Sequence, residues 1–484
     1  MRGCNKGFML SEHHGHCGIP GQPPIRNNAN LTHTLNPKPK TGKALRMSLK
    51  VKLLRPCALA SLTLAMGCVQ FSFAADQTVT GAGNERAIRL AKSSPLVTTS
   101  MQLLKGNVLE IPSVQVRTHL AELMDQDKAC IRSRANLSAN DKTRLLAELE
   151  EAGLIDLSEA GRIQGGLLAG VFPPVTQDGT DCPKMPQAFY SAPGGATGGH
   201  HSEPGGLPVH EAFNDLSSIS FALNYKKVYG NVGKDGLPRA VLKGQKPSVQ
   251  KDGFIIDSTV VLGAPVWHDW AKTIVFQWNA DGTEFTELNF GGNGKTDNNG
   301  STGDSKTGAH HIIGIAEALK RDMPADFVIS VASAHSYPTY GNEYKVVNWI
   351  RAAAILAQVD PYAKGVLQKD SKGNPRLAAV RKLGDIDLTS ADDPVENTLI
   401  EYVLHNLSDA DYVFTGPAAK TVKNVLAKLA PEYGYSDKDS DYLFKFRHTA
   451  LTFLSAERLH VAYSNGGLNA VRAELNKLKK LHLI

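Results

Sequence analysis

The sequence predicts a mainly α-helical protein, a helical bundle with one inserted β-hairpin and further helices at both ends. Most of the chain after residue 83 has apolar residues at the three-and-four spacing of amphipathic helices. Only one stretch, around Asp281-Gly282, combines β-prone residues with a hairpin turn. The hydrophobic and charged fractions, 42% and 21%, are those of an ordinary globular protein, and 484 residues suffice for a large core.

The chain begins with a predicted export signal. Three basic residues within 50–55 precede an apolar stretch at 58–69, and small residues follow as far as Ala74. This is the layout of a secretory signal peptide over about residues 47–75, and the apolar stretch is too short to span a membrane. We therefore expect a periplasmic or secreted protein without a transmembrane span. The alternative is a lipoprotein anchored through Cys68.

The positive net charge comes from this N-terminal part. Residues 1–46 precede the signal and are interpreted as a non-native extension, so that Met47 is the true start. Residues 1–75 hold ten basic and one acidic side chain, which leaves 43 basic and 46 acidic residues after them. The remaining chain is nearly neutral, and we expect no nucleic-acid polymer as a partner.

Cysteine usage agrees with export. Four of the six cysteines precede residue 76, and only Cys130 and Cys182 follow. In an oxidising compartment these two could form one disulfide, whereas two buried free thiols are the alternative.

Composition divides the chain after the signal into three regions. Residues 76–190 are predicted as an N-terminal helical region. A stretch rich in Gly and Pro ends at Gly199 and marks a boundary or an active-site loop. Residues 191–365 form the second region, which carries the candidate metal-binding residues. Residues 366–484 are predicted as a C-terminal helical region of undefined role.

The hairpin lies inside the second region. Residues 273–290 are predicted as two strands joined at Asp281-Gly282. The polar, Gly- and Asn-rich residues 291–308 read as a surface loop, and helices are predicted over 309–322 and 344–360.

The strongest chemical motif is His268-Asp269 with Lys272 close behind. An adjacent imidazole and carboxylate can converge on one cation, and the two carboxylate oxygens can bridge two cations. Lys272 follows Asp269 by three residues and returns to the same face of a helix. It is the candidate for contacting a phosphate oxygen or neutralising developing charge. Asp269 and Lys272 are therefore the predicted catalytic residues.

Further candidate ligands follow in order along the chain. His310 shares a predicted helix face with Gly314, His335 follows an apolar helix, and Asp360 ends another. Imidazole and carboxylate ligands suit Mn, Fe, Zn or Mg. The complete set of predicted metal ligands is His210, His268, Asp269, His310, His335 and Asp360.

Residues 200–365 resemble the HD superfamily of metal-dependent phosphohydrolases, whose ligands run His, His-Asp, His, His, Asp along the chain. The match includes the H-D-x-[GA]-K form of the central motif. The resemblance implies an all-helical bundle that binds one or two divalent metal ions, with a water between them attacking phosphorus. It also implies a small phosphate mono- or diester as substrate. The implied first metal site is His210, His268, Asp269 and Asp360, and the implied second is Asp269, His310 and His335.

Some features depart from this pattern or leave alternatives open. The residues around His335 lack the glycines of HD proteins that hydrolyse cyclic di-GMP, so that substrate is not expected. His201 and His311 are alternative ligands, and His405 and His448 are interpreted as structural. Two other classes remain open: an HD-like di-iron oxygenase, distinguished by iron content and oxygen dependence, and a non-catalytic periplasmic metal-binding protein that folds without metal.

Overall fold

The structure is a computed structural model. Residues 79–196, 198–247, 254–291, 305–338, 342–381 and 399–484 are described. They belong to one compact unit, Ala74–Ile484. The predicted signal peptide, the Cys68 lipid anchor and the extension 1–46 lie outside the described residues. Among the helices that are described, none has the length and apolarity needed to cross a membrane.

Helices dominate, and the mainly α class is confirmed. Three of the N-terminal helices begin where a serine side chain accepts a hydrogen bond from the first turn. Ser138 does so with a reciprocal bond from its own backbone N–H to Asp141, a capping box that agrees with the predicted cap. Ser94 and Ser113 cap two other helices in the simpler way. The N-terminal helices are α1 (Asn84–Ser93), α2 (Pro95–Leu109), α3 (Val114–Asp125), α4 (Ala139–Glu151) and α5 (Gly166–Val171).

Ten further α-helices follow in the described residues. The last of them is interrupted at Gly466 and Gly467, whose backbone angles are not helical. A π-helical turn, Leu443–His448, directly precedes the second-to-last helix, Thr449–Leu454. The central helices are α6 (Gly206–Val228), α7 (Ser258–His268), α8 (Lys272–Val275), α9 (Ala309–Lys320), α10 (Ala325–Ala332) and α11 (Glu343–Ala357). The C-terminal helices are α12 (Ile400–Ser408), α13 (Tyr412–Leu429), α14 (Thr449–Leu454) and α15 (Ala456–Lys480).

The predicted hairpin forms only in part. Its turn at Asp281-Gly282 is present, but the segments on either side of the turn pair only through an isolated bridge between Trp278 and Glu284. The start of the predicted first strand is helix α8, where successive side chains are all buried and the alternation of a half-buried strand is absent. A two-residue strand β1 (Asn289–Phe290) pairs antiparallel with β2 (Thr307–Gly308).

A second small ribbon was not predicted. Strand β3 (Leu367–Lys369) pairs antiparallel with β4 (Pro375–Leu377) just after α11. Most of the predicted loop 291–308 lies outside the described residues, and only its two ends are seen.

One large hydrophobic core joins helices from all parts of the described chain. It extends from Met101 on α2 to Tyr402 on α12 and includes the fully buried Trp267. A second core holds the C-terminal helices α13 to α15 together. Because α6, α7, α9, α10 and α12 pack on one another in the first core, several of their ends meet at one place.

Cys130 and Cys182 form a disulfide, with Cα atoms 5.6 Å apart. The bond ties the segment after α3 to the loop after α5, 52 residues further on. Of the two alternatives that the sequence left open, the structure has the disulfide.

We expect the double variant Cys130→Ala/Cys182→Ala to lose about 4 kcal/mol of unfolding free energy, because a cross-link over a loop of this length restricts the unfolded chain. Urea denaturation of the variant beside the oxidised wild type measures the difference. Wild-type protein kept reduced is the control and should unfold like the variant. Equal urea midpoints for variant and oxidised wild type would contradict the prediction.

Candidate metal centre

Five of the six predicted ligands meet where helices begin and end. His210 is the fifth residue of α6, His268 ends α7 and Asp269 follows it. His310 is the second residue of α9, and His335 follows α10. Each side chain comes from a helix that the main core holds in place, so their relative positions are set by helix packing.

Their side-chain atoms converge on the carboxylate of Asp269. His210 Nε2 lies 3.3 Å from Asp269 Oδ2, and His310 Nε2 lies 3.3 Å from Asp269 Oδ1. His268 Nε2 lies 3.5 Å from the same Oδ1. Ligand atoms of Asp269, His310 and His335 also lie within 4.8 Å of one another. Oδ2 therefore faces His210, whereas Oδ1 faces both His268 and His310.

A metal ion fits this arrangement because the converging atoms lack other partners. Four of these atoms are buried and have no hydrogen-bond partner within the described chain: His210 Nε2, His268 Nε2, His310 Nε2 and Asp269 Oδ1. Leaving such atoms unsatisfied costs about 1–3 kcal/mol each. Adjacent ligands of a metal with bonds of ~2.1 Å are about 3.0–3.4 Å apart, which matches their separations.

Partners on the far side of two imidazole rings direct these nitrogens inward. His268 Nδ1 donates to the carbonyl oxygen of Pro265 at 2.7 Å. His310 Nδ1 lies 2.5 Å from Glu287 Oε1, which also accepts the backbone N–H of His310. Because Nδ1 carries the proton in each ring, Nε2 presents its lone pair to the cluster, as metal-binding histidines require.

Gly314 permits the close approach of α9 to the His268 turn. A Cβ atom at this position would lie 3.1 Å from the carbonyl oxygen of His268. The carbonyl of Gly314 in turn accepts a hydrogen bond from Trp267 Nε1 at 2.9 Å. The His-to-Gly spacing noted in the sequence thus has a packing cause in the structure.

Asp360, the remaining predicted ligand, does not join the cluster. Helix α11 ends at Ala357, and Gln358 takes a left-handed conformation with φ of 53° that redirects the chain. The Asp360 carboxylate is exposed and accepts the backbone N–H of Tyr362 at 2.8 Å. It lines a separate surface groove with Arg144. The structure therefore corrects this part of the predicted ligand set.

Asp409 occupies the place that the sequence analysis assigned to Asp360. It follows α12, and its Oδ1 lies 3.1 Å from His210 Nε2 and 3.4 Å from His268 Nε2. The order of ligand types along the chain is unchanged, since this aspartate still comes last. The signal in the sequence was the same as for Asp360, a carboxylate at the end of an apolar helix.

A second carboxylate missed by the sequence analysis supports His210 from behind. Asp411 Oδ1 lies 3.5 Å from His210 Nδ1, and its Oδ2 lies 3.0 Å from His201 Nε2. His201, one of the alternative ligands, therefore lies behind His210: it is hydrogen-bonded to Asp411, and its ring centroid is 5.4 Å from that of His210. A further group of possible ligand atoms is formed by His200, His210 and Asp411.

Lys272 is buried and directed at the site. Its Nζ donates to Asp269 Oδ2 and to the carbonyl oxygen of Gly194, the latter at 2.5 Å. The positive charge therefore orients the carboxylate of Asp269. Lys272 also lines the cavity over the cluster. Its contact with a phosphate oxygen stays a prediction.

The charges of the site favour a cation. Burial acts to raise the pKa values of Asp269 and Asp409, but His268 and the other basic side chains around them outweigh it, and both pKa values lie well below the ordinary range. Burial acts to lower the pKa of His268, but Asp269 and Glu211 raise it to about 9. Burial raises the pKa of Glu211 itself to about 8. Two carboxylates are thus ionised in a buried site, and a metal would replace the imidazole proton.

A cavity of about 410 Å³ opens over the cluster. Asp269, Lys272, His310, His335 and Asp409 reach its wall together with other side chains. Cavities of this size hold small molecules. The further lining residues that bear on chemistry are His200, Phe276, Glu287, Asn406 and Tyr412.

The other histidines named from the sequence have partners of their own. His311 contacts Thr307 and the carbonyl oxygen of Val331. His405 Nδ1 donates to the carbonyl oxygen of Ser330, and His448 Nε2 donates to that of Gly282. These contacts agree with structural roles for His405 and His448.

Comparison with protein-family models, curated protein sequences and solved structures finds no match for this chain. The fold and the site define a mainly α protein with buried histidine and aspartate clusters able to hold a metal ion. Membership of the HD superfamily stays a prediction that depends on these residues.

Proposed function

We propose that this protein is an exported, two-metal hydrolase of small phosphate esters. The observation that carries the proposal is the Asp269 carboxylate, around which three buried, unpartnered imidazole nitrogens gather. The Nε2 atom of His210 faces Oδ2, and those of His268 and His310 face Oδ1. A bridging carboxylate of this kind is typical of sites that hold two metal ions about 3.5–4 Å apart.

Two groups of residues would hold the ions. His210, His268, Asp269 and Asp409 would form the first site, and Asp269, His310 and His335 the second. Bound ions would supply an activated water and stabilise charge on the phosphate oxygens. The set of ligand types suits Mn, Fe, Zn or Mg.

Other side chains would bind and orient the ester. Lys272 and His200 bring N–H groups to the cavity wall, where they can contact phosphate oxygens. Phe276 and Tyr412 add apolar surface for the organic part of the substrate. The cavity volume favours a small ester over a polymer.

Export is supported by the disulfide between Cys130 and Cys182, since such bonds persist in oxidising compartments. The predicted signal peptide over about residues 47–75 supports the same localisation.

Metal analysis and a phosphoester screen test the proposal. We expect about two equivalents of bound metal per chain, and hydrolysis that a chelator abolishes and added Mn, Fe or Zn restores. The control is chelator-treated protein returned to buffer without metal, which should stay inactive but folded. Absence of both metal binding and hydrolysis after incubation with each metal would overturn the proposal. Turnover that requires iron and oxygen would favour the oxygenase instead.

A further inference from the structure

A hydrogen-bond chain lies behind His335, the most exposed of the candidate ligands. Thr307 Oγ1 lies 2.8 Å from His335 Nδ1 and 2.9 Å from His311 Nδ1. His311 Nε2 lies 3.2 Å from the carbonyl oxygen of Val331. The chain thus runs from a backbone carbonyl through a buried imidazole and a hydroxyl to the ring of a candidate metal ligand.

We propose that Thr307 and His311 are positioning residues that hold His335 in the tautomer with a free Nε2 lone pair. The inference rests on the metal centre of the proposed function, but not on the reaction that the centre catalyses. It assigns roles to a threonine that sequence analysis did not consider and to a histidine that it considered only as an alternative ligand.

The direction of every bond in the chain follows from its fixed end. A carbonyl oxygen only accepts, so the hydrogen between Val331 and His311 belongs to His311 Nε2. His311 is fully buried, and none of its contacts within the described chain is a carboxylate. A charged ring there would be an unpaired buried cation, which is strongly unfavourable. The ring is therefore neutral, and its Nδ1 can only accept.

The remaining bonds then have one possible direction. The Thr307 hydroxyl has a single hydrogen, which it donates to His311 Nδ1. Its oxygen therefore accepts from His335, so the proton of that ring sits on Nδ1. Nε2 of His335 is left with its lone pair for the cluster that Asp269 and His310 share.

The tautomer of His335 depends on this hydrogen-bond chain because the direct partner of its Nδ1 is a hydroxyl. His268 and His310 donate to a carbonyl and a carboxylate, which accept only and fix the tautomer by themselves. A hydroxyl can donate or accept, so Thr307 alone would allow either tautomer of His335. His311 removes this freedom by taking the hydroxyl hydrogen.

The short ribbon places the supporting groups for both ligands of the second site. Thr307 lies in β2, and Glu287, which holds His310, lies two residues before β1. Pairing of β1 with β2 thus brings the partners of His310 and His335 to the same side of the cluster.

Metal titration of three threonine variants tests the inference. Thr307→Val removes the hydroxyl but keeps the shape, and we expect it to weaken one of the two metals about 10- to 100-fold while the other is unchanged. Thr307→Ser should restore the wild-type affinity. Thr449→Val is the matched control, because this buried hydroxyl donates to the carbonyl of Phe444 away from the site. Competition between protein and a chromophoric chelator for Co²⁺ or Zn²⁺ measures both affinities.

Two results of the titration would overturn the inference. One is wild-type affinity for both metals in Thr307→Val, and the other is an equal loss in Thr307→Ser. Loss of phosphoester hydrolysis alone, with metal affinities unchanged, would bear on the proposed reaction and count against the role of Thr307.

Nitrogen NMR of the wild-type protein provides a readout independent of variant folding. With ¹⁵N-labelled histidine, His335 should show a protonated Nδ1 and an unprotonated Nε2 that shifts when Zn²⁺ is added. His311 should show the opposite tautomer, with the proton on Nε2. A His335 ring protonated on Nε2 in the metal-free protein would overturn the inference, even if the protein proved inactive on every phosphoester.

Discussion

Replacement of Asp269 with Asn should reduce bound metal from about two equivalents to less than one, and hydrolysis by roughly 1,000-fold or more. The carboxylate faces His210 through Oδ2 and His310 through Oδ1. The asparagine side chain has the same shape but is neutral, so it cannot bind a cation at each end as a carboxylate does. Loss of a single preorganised electrostatic group already costs about 100- to 1,000-fold in rate. Metal analysis and steady-state kinetics on a phosphoester identified by the screen measure the two effects.

Asp411→Asn is the matched control for this change. Asp411 is also a buried carboxylate beside His210, but it faces the outer nitrogen of the ring. We expect a loss of about 10- to 100-fold in metal affinity, as for other residues that orient a ligand. Thermal unfolding of both variants reports whether they fold. Two tightly bound metals and normal hydrolysis in Asp269→Asn would be incompatible with a bridging role.

The second large effect is expected from Asp409→Ala, set beside Asp360→Ala. Asp409 lies within 3.4 Å of both His210 and His268, so its removal should abolish binding of one metal and most of the hydrolysis. Asp360 is exposed and distant from the cluster in the fold, so its removal should change neither. Metal content and kcat/KM of the two variants provide the comparison.

The pair of variants distinguishes the structural assignment from the one based on sequence. Loss of a metal in Asp360→Ala, with both metals kept in Asp409→Ala, would contradict the role of Asp409 and favour the ligand set predicted from the sequence. Circular dichroism of each variant controls for loss of helix.

A large part of the fold could be predicted from the sequence because amphipathic helices have a local pattern of apolar and capping residues. Apolar spacing and the serine cap at Ser138 predicted helices that the structure confirms. The start of the first predicted strand, just after Lys272, is helical for a related reason. That stretch is apolar on all sides, and periodicity cannot distinguish a buried helical turn from a buried strand.

The candidate site was predictable to the extent that its chemistry lies in residue types and their order. The His268-Asp269 pair and its companions His210, His310 and His335 were selected in this way, and the structure brings them together. The last carboxylate was not predictable, because two aspartates each end an apolar helix. Which one meets the histidines depends on how α11 and α12 pack.

The sequence by itself determined the helical class, the central His-Asp pair and the types of ligand, since these depend on local pattern and side-chain chemistry. Only the tertiary structure decided that Asp409 and not Asp360 lies beside His210 and His268, that Cys130 and Cys182 are bonded, and that Thr307 and His311 lie behind His335. Each of these is a contact between residues far apart in the chain. Tertiary packing sets such distances, and local sequence patterns do not predict them.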